Sequence, residues 1–256
     1  MKLTESPKGS EIVRVFAGYD PREAAGLHVF TQSLIDTSSV PVSVSPLVLR
    51  HMPRYVDHGD GTNAFITSRY LIPALCDYAG WALFVDGSDM VMADDVAKLW
   101  ALRDPQYAIQ CVTRPIYQTK SPMKYLSTPM LADNIDYPRK NWSSVMLMNC
   151  GHPANRVLTM DYVSRTSSRM LHSFCWLQDD QIGPLPRRWN VLIGEEQPPP
   201  DPGICHYTLG TPGFQAYADC DESWRFHRAL VHAMNLVGQS TPEVVQRAIR
   251  RAAPNE

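Results

Sequence analysis

Short apolar runs alternate with amphipathic stretches along the chain, and the two have different periods. Residues 12–18, Ile-Val-Arg-Val-Phe-Ala-Gly, are β-branched and apolar and stop at glycine, which predicts a first buried strand. From Pro21 to Ile35 the period lengthens: Ala25, Val29 and Leu34 recur at near-helical spacing, with Asp20 placed to cap and Pro21 at the favoured first helical position. Residues 40–49 alternate around Pro41 and Pro46, a second strand. Residues 51–63 are polar and rich in Gly and Asp and read as an exposed loop, and residues 64–78 are helix-like up to Gly80. Trp81-Ala-Leu-Phe-Val85 is an unbroken apolar run halted by Asp86-Gly-Ser-Asp89, so a buried strand delivers two acids to its C-terminal end. Residues 109–112 and 144–148 predict two more strands, and residues 94–102 and 155–170 predict helices. Strands alternating with helices predict an α/β fold with a mostly parallel central sheet, and a site at the carboxyl edge of its strands.

After Gln178 the texture becomes loop, with Pro184, Pro186 and a stiff proline run at 198–200. A closing helix is expected over 241–252, capped by Thr241, started by Pro242 and carrying Arg247, Arg250 and Arg251. No internal repeat is visible.

Composition narrows the class. The 256 residues are 44% hydrophobic and 20% charged with a net charge of -2, which excludes a disordered tail and predicts one domain over residues 1–256. Its core is expected at about 12–226, with a C-terminal helical segment at about 227–256. No apolar run is long enough to span a bilayer, and the N-terminal Met-Lys-Leu-Thr-Glu-Ser-Pro-Lys-Gly lacks a signal-peptide core, so a cytoplasmic protein without an integral membrane segment is expected, with peripheral attachment to a membrane surface left open. The six cysteines show no CxxC spacing and imply no disulfide. The near-zero net charge gives no reason to expect nucleic acid as an obligatory partner.

The chemistry concentrates in the acid turn. Asp86 and Asp89, on a turn that Gly87 keeps narrow, offer hard oxygen ligands suited to Mg²⁺ or Mn²⁺, with a diphosphate as the usual source of further oxygens. The bland alternative is a polar turn in which one Asp caps the next segment.

Thr62-Asn-Ala-Phe-Ile-Thr-Ser-Arg69-Tyr-Leu-Ile-Pro73 followed by Trp81 to Met90 resembles the centre of the metal-dependent glycosyltransferases of the GT-A fold, a single Rossmann-like domain. The likeness is to glycosyltransferase family 8, the group of glycogenin and the bacterial lipopolysaccharide galactosyltransferases. Four further segments resemble that family in its order: Phe16-Ala-Gly-Tyr-Asp20, Trp142 to Gly151, Asp180-Gln181 with Leu185-Pro186 and Trp189-Asn190, and His206-Tyr-Thr-Leu-Gly-Thr-Pro212.

The resemblance implies a nucleotide-sugar donor, a UDP-sugar, and an acceptor hydroxyl on a glycan, glycolipid, protein or modified nucleic acid. It assigns the metal to Asp86, Asp89 and His206. The donor would be held by Ala17, Gly18, Tyr19, Asp20, Arg69, Asp86, Gly87, Ser88 and Gly210, with Tyr19 and Asp20 on the uracil and ribose. Asn149, Asp180 and Gln181 would contact the transferred sugar, with Asp180 or Gln181 supporting the developing cation in a retaining, front-side transfer. In such a transfer a departing diphosphate oxygen takes the acceptor's proton, and no dedicated base is needed.

Two departures stand out. Two residues rather than one separate the acids, which leaves open a ligand through water or an intrusion by Ser88. The family's late lysine is replaced by Thr211, with Lys120, Lys124 or Arg187 as candidate substitutes.

Competing expectations are a phosphatase of the haloacid dehalogenase type, a zinc site from Cys150, His152, Cys205 and His206, and a degenerate nucleotide-sugar binder. The remaining histidines, His172 among them, are expected to be surface or satisfied core. The basic, aromatic loop from Arg114 to Tyr125 is either an acceptor-facing surface or a solvated lid.

Overall fold

The computed structural model describes residues 11–52, 55 and 63–234. The expected helix at 241–252 and most of the 51–63 loop lie outside the described residues.

Strand β1 (Val13–Gly18) leads through one 3-10 turn at Pro21–Glu23 into helix α1 (Ala24–Thr37). Asp20 does cap that turn, accepting from the Arg22 amide, with Pro21 behind it. Strand β2 (Val42–Leu47) follows, then a 3-10 turn at Ser68–Leu71 that runs into the short helix α2 (Ile72–Leu75). The expected helix at 64–78 is therefore tight and brief, and Asp77 and Tyr78 end it with positive φ.

Strand β3 (Trp81–Val85) matches the apolar run residue for residue. Next come β4 (Met90–Met92), α3 (Val96–Trp100) and β5 (Ile109–Cys111). A two-strand ribbon, β6 (Met123–Lys124) with β7 (Ala132–Asp133), precedes β8 (Val145–Asn149). The stretch read as one helix over 155–170 is broken into a 3-10 turn at Pro153–Val157, α4 (Met160–Arg165) and α5 (Ser168–His172). Thr159 and Ser167 each precede a new helix, and such hydroxyl residues compete with the backbone inside a helix but serve well at its start. The segment expected to be loop after Gln178 contains β9 (Ile182–Pro184), β10 (Val191–Leu192) and β11 (Ile204–His206) before α6 (Ser223–Ala233). These strands are too short to show a period.

The main sheet has the order β2-β1-β3-β8-β5-β9. Five of its strands run the same way, and β8 alone is reversed, antiparallel to both β3 and β5. The fold is thus α/β with a mixed, mostly parallel sheet, as expected. Both faces are buried: Ala82 and Phe84 with Met146 and Met148 join the core under α2 and α5, while Leu83 and Val85 with Val145 and Leu147 join the core under α1 and α3. A second sheet, β10-β11-β4, stands at the carboxyl edge, where β11 runs antiparallel to β4 and sets His206 opposite Met90. None of the described helices is long and apolar enough to cross a membrane.

Candidate metal centre and its cavity

The acids sit where the sheet ends. Asp86 follows β3, and its amide donates to the Ser144 carbonyl at the start of β8 (3.0 Å). Gly87 holds φ +79°, a conformation that favours glycine, and a Cβ there would meet the Gly18 carbonyl oxygen at 3.0 Å. Asp89 then enters β4, and its carbonyl accepts from the Tyr207 amide next to His206 (2.8 Å). Two sheets therefore clamp the turn.

Asp86, Asp89 and His206 each offer a ligand atom, and these atoms lie within 4.8 Å of one another. His206 Nε2 is 3.3 Å from Asp89 Oδ2 and 3.9 Å from Asp86 Oδ2. On the other side of the ring, Nδ1 is 3.0 Å from Asn190 Oδ1, and the Asn190 amide donates to the Asn141 carbonyl (2.9 Å). That second bond orients the Asn190 oxygen toward the histidine, so Nδ1 carries the proton and Nε2 turns its lone pair to the acids. Asp89 Oδ1 is buried with no hydrogen-bond partner. Two carboxylates, an imidazole lone pair and an orphaned oxygen facing one another form a donor set that fits a hard divalent cation, with the imidazole tilting it toward Mn²⁺.

Charge shapes the pair unequally. Burial pushes the Asp86 carboxyl up despite Arg69, and the Asp89 charge pushes it further. Burial also pushes Asp89 up, but His206 outweighs it and holds that carboxyl below the ordinary value.

Arg69 is buried at 3% exposure, wedged against Phe65 and Phe84 with its guanidinium carbon 5.2 and 4.8 Å from their ring centres. Its Nη1 donates to Asp86 (2.5 Å) and to the Ser143 carbonyl (3.0 Å). The residue expected to reach for the donor thus also anchors the first acid to the start of β8.

The other expected residues divide into three groups. Ala17, Gly18, Gly87 and Ser88 pack behind the triad. A Cβ on Gly18 would lie 2.5 Å from the Asp86 carbonyl oxygen, and Ser88 donates to Glu23 (3.0 Å) rather than intruding on the acids. Tyr19 and Asp20 follow β1, but the Asp20 carboxylate is already engaged by the Arg22 guanidinium and the Ala64 amide. Gly210 is needed sterically, since a Cβ would meet the Tyr217 ring at 2.3 Å.

Asn149, Asp180 and Gln181 correct the expectation. Because β8 is reversed, Asn149 pairs with Trp81 at the start of β3, the edge opposite the acids. Asp180 and Gln181 precede β9, whose first residue pairs with the first residue of β5, so they lie at that same far edge. Gln181 accepts there from the Gln178 amide, and Asp180 is exposed. The residues that β8 does bring to the site are Ser143 and Ser144, at its beginning. Cys150, just after β8, is likewise remote from His206, so the zinc constellation does not form. Among the described residues the triad is the one cluster of its kind.

A cavity of about 370 Å³ opens over the triad. Its far wall comes from the 119–140 segment and α5, which supply Lys124, Asp133, Asp136, Tyr137, Lys140 and His172. Of the candidate substitutes for the missing lysine, Lys124 reaches the cavity. Arg187 is bound to Glu196 at the surface. The sequence did not single out His172, Tyr137, Asp133 or Asp136 for the site, because nothing local distinguishes them.

This architecture is that of the GT-A glycosyltransferases. The chain resembles the bifunctional glycosyltransferase WbbM at a TM-score of 0.60 and 14% identity, over 96% of this chain but about half (52%) of that one. It resembles the galactosyltransferase LgtC, solved with donor and acceptor sugar analogs, at a TM-score of 0.55 and 13% identity over 92% of this chain and 100% of that one. No family profile matches. Protein CDI of Arabidopsis thaliana is 39% identical over 218 residues, 81% of this chain and 82% of its own, and the chain belongs to the family of that protein.

Proposed function

We propose that the protein is a metal-dependent glycosyltransferase of the family 8 kind that moves a hexose from a UDP-sugar to an acceptor hydroxyl with retention. The observation that carries this reading is the triad Asp86, Asp89 and His206, with its orphaned oxygen and fixed imidazole tautomer, at the carboxyl edge of a GT-A sheet. Charge supports the donor class. The cavity is lined by four carboxylates (Asp86, Asp89, Asp133, Asp136) and four cations (Arg69, Lys124, Lys140, Arg169), so a bound divalent cation leaves it two positive charges in surplus. A diphosphate esterified at both ends carries two negative charges and cancels them.

A divalent ion in the triad supplies Lewis-acid stabilisation of a leaving diphosphate. The chain's own groups do the rest. Arg69 fixes Asp86, Asn190 fixes His206, and Lys124, a cavity cation whose charge reaches both acids, takes the place of the missing late lysine. Of the cavity carboxylates outside the triad, Asp136 is engaged by the Thr119 amide and Lys140, which leaves Asp133 to face a positive sugar, and the far-edge position of Asp180 and Gln181 favours it over them. The strap from 119 to 140 shields the reacting bond from water.

Calorimetric titration of UDP, GDP and CMP with Mn²⁺ and again with EDTA, followed by UDP release from a panel of UDP-sugars, tests the reading. Metal-dependent binding of UDP with slow hydrolysis of one UDP-sugar is expected. No nucleotide binding under either condition would overturn it, and metal-dependent UDP binding without turnover of any donor would mark a binder instead.

A further inference from the structure

His172 ends α5 and is only 7% exposed, yet it stands on the cavity wall. Two hydroxyls converge on its Nδ1, Tyr70 Oη at 2.8 Å and Ser143 Oγ at 2.7 Å. The two hydroxyls fix Nδ1 in place, and with one of them donating to its lone pair the imidazole carries its proton on Nε2. Tyr70 meets the ring edge-on at 5.8 Å and Tyr137 lies beside it at 5.8 Å, tilted by 34°, so the ring plane is held from two sides. Burial, then the charges of Arg69 and Lys124, keep the imidazole uncharged. Among the described residues nothing accepts from Nε2.

A buried N–H without an acceptor is costly, whereas one on a cavity wall is satisfied by what enters the cavity. Its position narrows what that is. Ser143, which bonds to His172 through its hydroxyl, accepts from Arg69 through its carbonyl, and Arg69 holds Asp86. The histidine is therefore one serine and one guanidinium from the metal triad. The triad end of the cavity is charged and suits phosphate. Here the wall offers a neutral donor beside a phenol ring, which suits a hydroxyl on the flank of a sugar.

We propose that His172 is a sugar-binding residue whose Nε2–H donates to a hydroxyl of the sugar carried by the nucleotide donor, with the Tyr137 ring alongside. The proposal rests on the glycosyltransferase reading.

The test compares affinities for UDP, UDP-glucose, UDP-galactose and UDP-N-acetylglucosamine with Mn²⁺ in the unmutated protein, His172→Phe and His172→Gln. Phenylalanine keeps the ring packing without a donor, and glutamine restores an N–H near the Nε2 position. In His172→Phe, UDP affinity should stay within about twofold while the tightest-binding UDP-sugar weakens roughly five- to tenfold, and His172→Gln should recover most of that loss. Where the phenylalanine variant fails to fold, His172→Met is the donor-less comparison. An equal loss for UDP and UDP-sugar, or no loss in the donor-less variant, overturns the role of His172 alone. Absence of UDP binding to the unmutated protein overturns the glycosyltransferase reading and this proposal with it.

Discussion

At the scale of single residues, burial decides what each charge does. Arg69 invites description as a donor-binding residue, but its guanidinium is enclosed between two phenylalanine rings and neutralised by Asp86. Its removal leaves a buried carboxylate alone, so Arg69→Ala should cost about 3–5 kcal/mol in urea unfolding and abolish metal binding together. A variant that loses donor affinity at unchanged stability would return Arg69 to a purely ligand-facing role. Glu23 makes the opposite case. Its Oε1 is buried with no partner, and burial, reinforced by the Asp89 charge, raises its carboxyl from 4.5 to about 8. A raised folded-state value means that the unfolded chain ionises first. The contribution of Glu23 to stability in EDTA should therefore be full below about pH 4.5 and be lost as pH rises toward 8. Glu23→Gln should flatten that slope and gain roughly 2–4 kcal/mol at pH 8, at about 1.4 kcal/mol per unit. Parallel pH profiles for the two proteins would show that Glu23 does not titrate in this window.

At the scale of elements, the site is built from close approaches between backbones. Helix α1 runs so near the acid turn that a Cβ on Gly26 would lie 1.8 Å from the Ser88 carbonyl oxygen. Backbone cannot yield as a side-chain tip does, so Gly26→Ala should destabilise by more than about 2 kcal/mol and displace Asp89, weakening Mn²⁺ binding even in molecules that stay folded. Unaltered Mn²⁺ affinity in the folded fraction would show that the helix can shift without the turn. The strap over the cavity hangs on Glu195, which is buried and accepts from Thr119 Oγ1 (2.6 Å), the Lys120 amide (2.8 Å) and Asn134 (3.4 Å). Glu195→Ala should open this segment first, giving tryptic cleavage at Lys120 and Lys124 about tenfold faster than elsewhere in the chain. Cleavage spread evenly over the chain would indicate global loosening instead.

These elements also show what a sequence can reveal. The run 81–85 was legible as a buried strand because five consecutive apolar residues bounded by Gly80 and an acid have few other uses. The triad's two acids were legible from their place at its end. The direction of β8 was not, since a doubly buried strand has the same apolar content read either way. The resemblance assigned Asn149 to the site, and the reversed strand sets it beside Trp81 at the start of β3 instead. His172 was invisible for a different reason. Its meaning comes from Tyr70, 102 positions away along the chain, and from Ser143, and no local pattern encodes either contact.

For the molecule as a whole, the consequence is linkage between two ligands. With its four cations matched by four carboxylates, the cavity has little net attraction for a free diphosphate, and two of those carboxylates crowd His206, only Asp86 being paired to an arginine while Asp89 keeps a buried oxygen without a partner. A divalent cation relieves that crowding and creates the surplus charge that a diphosphate needs. Each ligand should therefore tighten the other by the same factor, as reciprocity requires. In a thermal-unfolding series, UDP alone should barely move the midpoint, Mn²⁺ alone should raise it modestly, and the two together should raise it by more than the sum. Asp89→Asn supplies the control, because it removes one metal ligand and leaves the cations of the cavity in place. That variant should lose the synergy, retain its secondary structure, and turn over the donor orders of magnitude more slowly. Strictly additive shifts in the unmutated protein would mean that metal and nucleotide do not share the cavity, and the triad would then have to be understood apart from sugar transfer.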